Sequence, residues 1–257
     1  MSTPADDTHA GAGLLLDEPP ALRAHEAAYD FATGGYREVA GGPLVYGSVE
    51  VEVGRLWRAL TRLLRPRRVL ETGTHLGYST TCIALALREM TAIDGLSREV
   101  VSMDCAMMPH LWEGHEVAKF VRWMHTSSID AVNMRDARVF GTGMFDLLVL
   151  DSDHAYETII FELIAFEPLL RPGGAILLHD SLYFDGVGHA VRQLMANPRF
   201  ECVTLPSPRT HEPPQRCPGV TLVYKRRDGE PRLRQNDALV GKGNGDAMTP
   251  PLLRSLA

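Results

Sequence analysis

The chain has 257 residues, of which 45% are hydrophobic and 23% are charged, and its formal net charge is −6. A chain of this length and composition can bury one sizeable core without disulfide or metal staples. An acidic chain without a basic run is a poor candidate for nucleic-acid binding. Its four cysteines are widely spaced, so neither a disulfide framework nor a cysteine-based zinc site is indicated.

The predicted elements divide the chain into a leader, one domain and a tail. Residues 1–20 are small, acidic and polar and predict a disordered leader. Residues 21–65 predict a helical lid, with apolar residues at helical spacing over 49–64. Residues 66–227 form the predicted core, and the polar residues 228–257, dotted with Gly and Pro, predict a flexible tail.

No targeting segment or membrane segment is indicated. The N-terminal stretch lacks the positively charged region of a signal peptide. No apolar run approaches the ~18 residues that a membrane span needs. We therefore expect a cytoplasmic protein without a membrane partner.

From residue 68 onward, short apolar segments alternate with helical patterns. Strands are predicted at 69–70, 100–103, 122–125, 145–150 and 175–178. The last of these follows a predicted turn at 171–174, and a helix is predicted over 156–170. This alternation is typical of an α/β fold with a doubly wound, mostly parallel sheet that is covered on both faces. Two late strands, at 200–205 and 220–224, predict an antiparallel pair at one edge of a seven-stranded sheet.

The first of these strands ends at a glycine-containing turn. Glu71 closes the strand, Gly73 and Gly77 lie in the turn, and Ser79 begins the next helix. Glycines let the backbone turn tightly, and a helix N-terminus presents free N–H groups that suit the carboxylate of an amino acid. The pattern alone leaves two interpretations open, a site for a nucleotide-like ligand and an ordinary turn after a strand.

The second strand ends in Asp104. A carboxylate at this position can accept hydrogen bonds from both hydroxyls of a ribose. Taken alone, an exposed Asp at the end of a strand is an equally good interpretation.

Acids and imidazoles follow the fourth and fifth strands. Asp151 and His154 come after the fourth strand, and His179 and Asp180 close the fifth. These strands are expected to be neighbours, so the four side chains should converge. Carboxylate oxygens suit Mg²⁺, whereas an imidazole favours a transition metal. The alternative is structural, with Asp180 capping the next turn and both histidines packed without a ligand.

Three segments carry a resemblance to a known family: LETGTHLGYST, FDLLVLDSDHAYE and LLRPGGAILLHDS. They resemble class I S-adenosylmethionine-dependent methyltransferases, in particular the catechol O-methyltransferase-like group and its macrolide-sugar and cephalosporin-type relatives. The resemblance covers about residues 45–225. It implies a Rossmann-like methyltransferase fold and transfer of a methyl group from S-adenosylmethionine to a hydroxyl of a small-molecule acceptor, such as a natural-product sugar or phenol.

The resemblance also implies which residues bind the cofactor. Asp104 would hold the ribose, and Ser128 would lie near the adenine, although the acid of the family's G-D-S segment is missing here. The other cofactor-binding candidates are Glu71, Gly73, Thr74, Gly77, Tyr78, Ser79 and Asp151.

A metal site and a catalytic base are implied in the same way. Asp151 would be the first metal ligand, with His179 and Asp180 at the other two positions. Relatives carry an acid where His179 stands, so this chain departs from the family pattern there. Mg²⁺ or another divalent metal would lower the pKa of the acceptor hydroxyl and orient it. His154 occupies the position of the catalytic base and would remove the proton.

Lysine is scarce, which bears on the choice of base. The chain has three lysines, Lys119, Lys225 and Lys242, and none lies near residue 154 in the sequence. Because an imidazole titrates near neutral pH, His154 is favoured as the base. Candidate apolar wall residues for the acceptor are Tyr36, Tyr46, Met107, Met108, Trp112, Tyr183 and Phe184.

Two other classes of function stay open at this point. One is a different enzyme on the same scaffold, such as a metal-dependent hydroxylase or a carboxyl methyltransferase. The other is a non-catalytic protein that binds S-adenosylmethionine. In each case we expect a homo-oligomer that does not bind nucleic acid.

Overall fold

A computed structural model describes residues 17–31, 35–36, 48–141, 144–206 and 218–230. Seven strands form one sheet: β3 (Arg68–Thr72), β4 (Glu99–Asp104), β5 (Val121–His125), β6 (Phe145–Leu150), β7 (Leu170–His179), β8 (Phe200–Leu205) and β9 (Val220–Lys225). Two short strands, β1 (Tyr29–Asp30) and β2 (Gly35–Tyr36), pair separately. The predicted leader and tail lie almost entirely outside the described residues.

The order of the sheet is β5-β4-β3-β6-β7-β9-β8. The strands from β5 to β7 are parallel, and β9 pairs antiparallel with both β7 and β8. The predicted α/β fold, a doubly wound and mostly parallel seven-stranded sheet with an antiparallel edge pair, is confirmed.

Helices cover both faces of this sheet. They are α1 (Pro20–Ala28), α2 (Val51–Leu64), α3 (Tyr78–Asp94), α4 (Ser128–Asn133), α5 (Ala137–Phe140), α6 (Tyr156–Phe166) and α7 (Asp185–Ala196). Single 3₁₀ turns occupy Glu116–Phe120 and Glu167–Leu169. The helix predicted over 156–170 therefore ends earlier, because Pro168 cannot continue an α-helix.

Two hydrophobic clusters, one on each face, form the core. Val69 packs with Trp57 and Leu85 on the side of α2 and α3, and Leu70 packs with Phe166 and others on the side of α6 and α7. Neighbouring residues of β3 thus point to opposite faces, and both faces are buried, which explains the continuous apolar character of the strand.

The turn predicted at 171–174 is wrong. These residues belong to β7, which runs from Leu170 to His179. The pairing between β6 and β7 shifts register between Phe145 and Leu147, and this irregularity accommodates the two glycines within a continuous strand. Among the described residues, no helix combines the length and the apolar character that crossing a bilayer requires.

Candidate active site

The predicted site residues lie at the carboxyl ends of β3, β4, β6 and β7. The chain runs outward from β3 to β5 and then returns to β6 on the other side of β3. Thr72 pairs with Leu150, and the N–H of Asp151 donates to the carbonyl of Thr72 at 3.2 Å. The glycine turn after β3 and the acid after β6 are therefore side by side, at the position where doubly wound sheets bind ligands.

The turn over residues 73–77 depends on its glycines. Gly73 and Gly77 have φ angles of 82° and 75°, a region that favours glycine. A Cβ on Gly73 would lie 1.9 Å from the backbone oxygen of Asp151, and one on Gly77 would lie 1.9 Å from the ring of Trp112. The turn is thus packed closely against two neighbouring segments.

The helix that follows this turn has an open N-terminus. Gly77 is the N-cap of α3, no side chain of the described residues caps it, and its first turn contains no acid. The first N–H groups of a helix lack intrahelical partners and carry the positive end of the helix dipole. They are available here to an anionic group of a ligand.

Glu71 lies beneath the turn and is completely buried. Its Oε2 accepts hydrogen bonds from the hydroxyls of Ser102, at 2.6 Å, and Thr80. Burial raises the pKa of Glu71 to about 7, although the hydroxyl hydrogen bonds oppose this shift. The hydroxyl of Ser79 also hydrogen-bonds to this carboxyl group, and Oε1 has no further partner with ordinary hydrogen-bond geometry within the described part of the chain.

Asp104 is held in place by the backbone around it. Its Oδ2 accepts from the N–H of His75 at 2.8 Å, and its Oδ1 accepts from the N–H of Ala106 at 2.7 Å. Each carboxylate oxygen can accept a second hydrogen bond, so Asp104 can still bind a diol. Thr74 contacts Ser102 through hydroxyls 2.7 Å apart, which ties the turn to β4.

Ser128 belongs to a buried polar network. It hydrogen-bonds to Glu162, a fully buried carboxylate that also accepts from Ser152 at 2.6 Å and from Thr72 at 3.2 Å. Burial raises the pKa of Glu162 to about 7, against these hydrogen bonds. The Ser128 side chain thus binds a protein carboxyl group beside β3 and β6. Glu162 is not among the residues predicted from the sequence.

The side chain of Tyr78 does not join the other predicted site residues. A Cβ on Gly54 of α2 would lie 2.3 Å from the Tyr78 ring, and the Tyr78 hydroxyl donates to Glu26 at 2.7 Å. Burial raises the pKa of Tyr78. The side chain thus connects α3 to the N-terminal helices, and only the backbone of Tyr78 belongs to the turn.

Two histidines and two aspartates converge beyond β6 and β7. The Nε2 of His154 lies 3.0 Å from Oδ2 of Asp180 and 3.6 Å from Oδ1 of Asp151. The Nδ1 of His179 lies 3.3 Å from each of the same two oxygens. Asp151, His154 and Asp180 offer ligand atoms within 4.8 Å of one another. Carboxylate and imidazole donors at this spacing fit a divalent cation.

The charges of this cluster stabilise one another. Burial lowers the pKa of His154, but hydrogen bonds and charge from Asp151 and Asp180 outweigh it and raise the pKa to about 9. Burial likewise opposes a rise in the pKa of His179, but Asp151, Asp180 and Glu50 shift it well above the ordinary value. Near neutral pH these pairs hold His154 protonated, whereas an isolated imidazole titrates there.

Glu50 also belongs to this cluster, although it is not among the residues predicted from the sequence. It precedes α2, is 5% exposed, and places Oε2 3.0 Å from Nε2 of His179. Its position between Val49 and Val51, at the start of an amphipathic helix, indicates burial. Nothing in that pattern points to a partner 129 residues further along the chain.

Two of the predicted apolar wall residues lie at the cluster. Phe184 stacks on the imidazole of His154 with ring centroids 4.1 Å apart, and Tyr183 meets Phe184 edge-on at 4.8 Å. Trp112 instead lies at the glycine turn, where it stacks on His110. The three remaining wall candidates that the structure describes are Tyr36, Met107 and Met108, and Tyr46 lies outside the described residues.

Residues 70–181, which include every predicted cofactor, metal and base residue, match a family model described as a methyltransferase domain. The segment that carries the candidate site is thus similar to methyltransferase domains. The predicted resemblance to class I S-adenosylmethionine-dependent methyltransferases is thereby confirmed.

Solved structures of methyltransferases share the fold. The O-methyltransferase TomG from Streptomyces achromogenes, involved in tomaymycin synthesis and solved in complex with SAM, has a TM-score of 0.62 and 20% identity, over 84% of this chain and 93% of that one. The O-methyltransferase from Bacillus cereus in complex with SAH has a TM-score of 0.59 and 19% identity, over 83% and 94%. The segment that matches the family model is thus part of a Rossmann-like methyltransferase fold.

A curated relative adds a match at the level of sequence. Catechol O-methyltransferase domain-containing protein 1 of Mus musculus is 28% identical over 152 residues, which is 59% of this chain. The match spans 55% of the mouse protein, so this chain covers about half of that relative's length.

Proposed function

We propose that this chain transfers a methyl group from S-adenosylmethionine to a hydroxyl of a small natural-product acceptor, a sugar or a phenol, with the help of a divalent metal. The observation that carries the proposal is the convergence of two carboxylates, Asp151 and Asp180, with two imidazoles, His154 and His179, beside the glycine turn. The O-methyltransferases that share the fold support the reaction class.

The carboxyl ends of β3 and β4 offer groups that suit the methionine and ribose portions of S-adenosylmethionine. The open N-terminus of α3 suits the carboxylate of its methionine portion. Asp104, held by two backbone N–H groups, suits the ribose hydroxyls. The remaining acceptor of Glu71 lies beneath the same turn. These groups favour a cofactor that carries both an amino acid and a nucleoside.

Asp151, Asp180 and an imidazole would hold the metal. Bound there, Mg²⁺ or another divalent cation would acidify the acceptor hydroxyl and offset the negative charge that keeps His154 protonated. Both carboxylates follow parallel neighbouring strands, so the sheet fixes their separation.

His154 is the better placed of the two histidines to act as the base. Its side chain is 29% exposed, whereas that of His179 is 7% exposed. The exposed part of the His154 ring is thus open to an acceptor, with Phe184 providing an apolar surface beside it, whereas Nε2 is buried against the two aspartates. The hydroxyl proton would pass to the imidazole of His154 while the oxygen–carbon bond forms and the carbon–sulfur bond breaks. The products are a methyl ether and S-adenosylhomocysteine.

The proposal is tested by a mass-spectrometric screen for a +14 Da shift in catechols and natural-product glycosides, with and without Mg²⁺. We expect a product that requires S-adenosylmethionine and is lost on exhaustive chelation.

With the acceptor identified, His154→Ala should lower turnover by about 10²–10⁴-fold and leave the affinity for S-adenosylmethionine unchanged. Full turnover in this variant would exclude His154 as the base, and full activity after chelation would exclude the metal.

A homo-oligomeric state, a cytoplasmic location and the absence of nucleic-acid and membrane partners stay predictions of the sequence.

A further inference from the structure

His179 is fixed on two sides at the end of β7. On one side, its Nε2 lies 3.0 Å from a carboxylate oxygen of Glu50, which is itself buried. A carboxylate can only accept, so Nε2 carries a proton and donates it. On another side, the ring meets Trp57 edge-on, with centroids 6.0 Å apart and planes at 86°. The imidazole therefore has little freedom to rotate.

This orientation directs Nδ1 at the two aspartates of the cluster. The distances from Nδ1 to Oδ1 of Asp151 and to Oδ2 of Asp180 are both 3.3 Å. Ligands that share one ion, each about 2.1 Å from it, are themselves about 3.0–3.4 Å apart. Each carboxylate oxygen is thus spaced from Nδ1 like a neighbouring ligand of the same ion.

The hydrogen-bond partner of His179 is of the kind that metal-binding histidines commonly have. A ligating imidazole commonly donates its second N–H to a carboxylate, which fixes the ring and raises its basicity. Glu50 provides this carboxylate from outside the methyltransferase-domain match. An imidazole ligand suits Zn²⁺, Co²⁺, Fe²⁺ or Ni²⁺, whereas Mg²⁺ prefers oxygen ligands.

We propose that this chain binds a divalent transition metal in preference to Mg²⁺, through Asp151, Asp180 and Nδ1 of His179, and that Glu50 is the positioning residue that orients His179. The proposal rests on the metal site of the proposed function and specifies its ion. His154, whose Nε2 faces the same two carboxylates, keeps the role of base in this arrangement.

The test is calorimetric titration of the full, metal-stripped chain with Co²⁺ and with Mg²⁺, together with proton NMR of the Co²⁺ form. We expect Co²⁺ to bind at least about tenfold more tightly than Mg²⁺. We also expect one paramagnetically shifted imidazole N–H resonance, which should persist in His154→Ala and disappear in His179→Asp.

Glu50→Gln tests the positioning role without removing a ligand. It preserves the size of the side chain but weakens the acceptor, so Co²⁺ affinity should fall about 10–100-fold while S-adenosylmethionine affinity is unchanged. The matched control is Glu201→Gln, a buried glutamate on β8 at the far edge of the sheet, which should leave both affinities unchanged.

The outcomes separate this inference from the proposed function. Equal affinities for Co²⁺ and Mg²⁺, wild-type Co²⁺ affinity in Glu50→Gln, or a shifted imidazole resonance that persists in His179→Asp would each overturn the inference alone. If neither ion binds although S-adenosylmethionine does, the metal site of the proposed function fails as well. Methyl transfer itself would then be judged by the mass-spectrometric screen.

Discussion

Three carboxyl groups lie around the predicted cofactor site, and their surroundings suit them to different roles. Glu71 and Glu162 lie fully inside the protein and accept hydrogen bonds mainly from hydroxyl groups. Asp104 is only partly buried and is held by backbone N–H groups. The two glutamates therefore favour their protonated form, which makes them supports of the site, whereas Asp104 is suited to bind a ligand.

Glu162 should make stability depend on pH. Its pKa in the folded protein, about 7, lies above the ordinary value of 4.5. The folded state therefore binds this proton more tightly, and stability falls as the pH rises from about 4.5 to about 7. Glu162→Gln stays neutral and should avoid a loss on the order of 2 kcal/mol between pH 5 and pH 8. Urea denaturation of both proteins at the two pH values measures the difference, and parallel pH dependences would contradict the assignment.

Asp104 should contribute strongly to cofactor affinity. Hydrogen bonds to a charged group contribute about 1.5–3 kcal/mol each. Asp104→Ala should thus weaken S-adenosylmethionine binding by more than about tenfold in calorimetric titration. Asp228→Ala, which removes an exposed acid after β9, is the control and should bind like the wild type. Unchanged affinity in Asp104→Ala would mean that the ribose lies elsewhere.

At the scale of elements, the turn after β3 holds the site together because its backbone touches the segment after β6. This contact makes Gly73→Ala a sharp test. Its Cβ would meet the backbone oxygen of Asp151, which cannot rotate away, in addition to the strain of a positive φ. We expect a loss of about 3 kcal/mol or more in unfolding free energy.

Gly95→Ala is the matched control for the turn. Gly95 has a φ of 70°, and a Cβ there would meet nothing within 4 Å. The substitution adds only backbone strain and should cost about 1 kcal/mol. Equal losses for the two variants would show that the contact with Asp151 does not constrain the turn.

The elements also show what the sequence can predict. The parallel strands are continuous apolar runs because both faces of the sheet are buried, so their positions could be predicted from local pattern. Gly173 and Gly174 indicate a turn locally, yet they lie in an irregular stretch of β7 between Leu170 and Ala175, which both pair with β6, and such pairing is not encoded in the segment itself. The pairing of Glu50 with His179 could not be predicted for the same reason, since it arises only when distant segments pack.

At the scale of the whole molecule, the N-terminal helices pack against α3 and against the end of β7, where the candidate site lies. Arg58 of α2 forms ion pairs with Glu18 and with the buried Glu89 of α3, and Tyr78 reaches Glu26 of α1. The same docking brings Glu50 to the end of β7. The site is therefore a property of the complete fold, although its motifs all lie within residues 70–181.

Ligand-dependent thermal stability tests the central claim, recognition of S-adenosylmethionine, most directly. The unfolding temperature of the full chain is measured with S-adenosylmethionine, NAD or ATP. At a hundredfold excess over its Kd, a ligand that binds the folded state adds about 2.7 kcal/mol to stability. We expect this stabilisation from S-adenosylmethionine and none from NAD or ATP. No response to S-adenosylmethionine, or an equal response to NAD, would contradict the account.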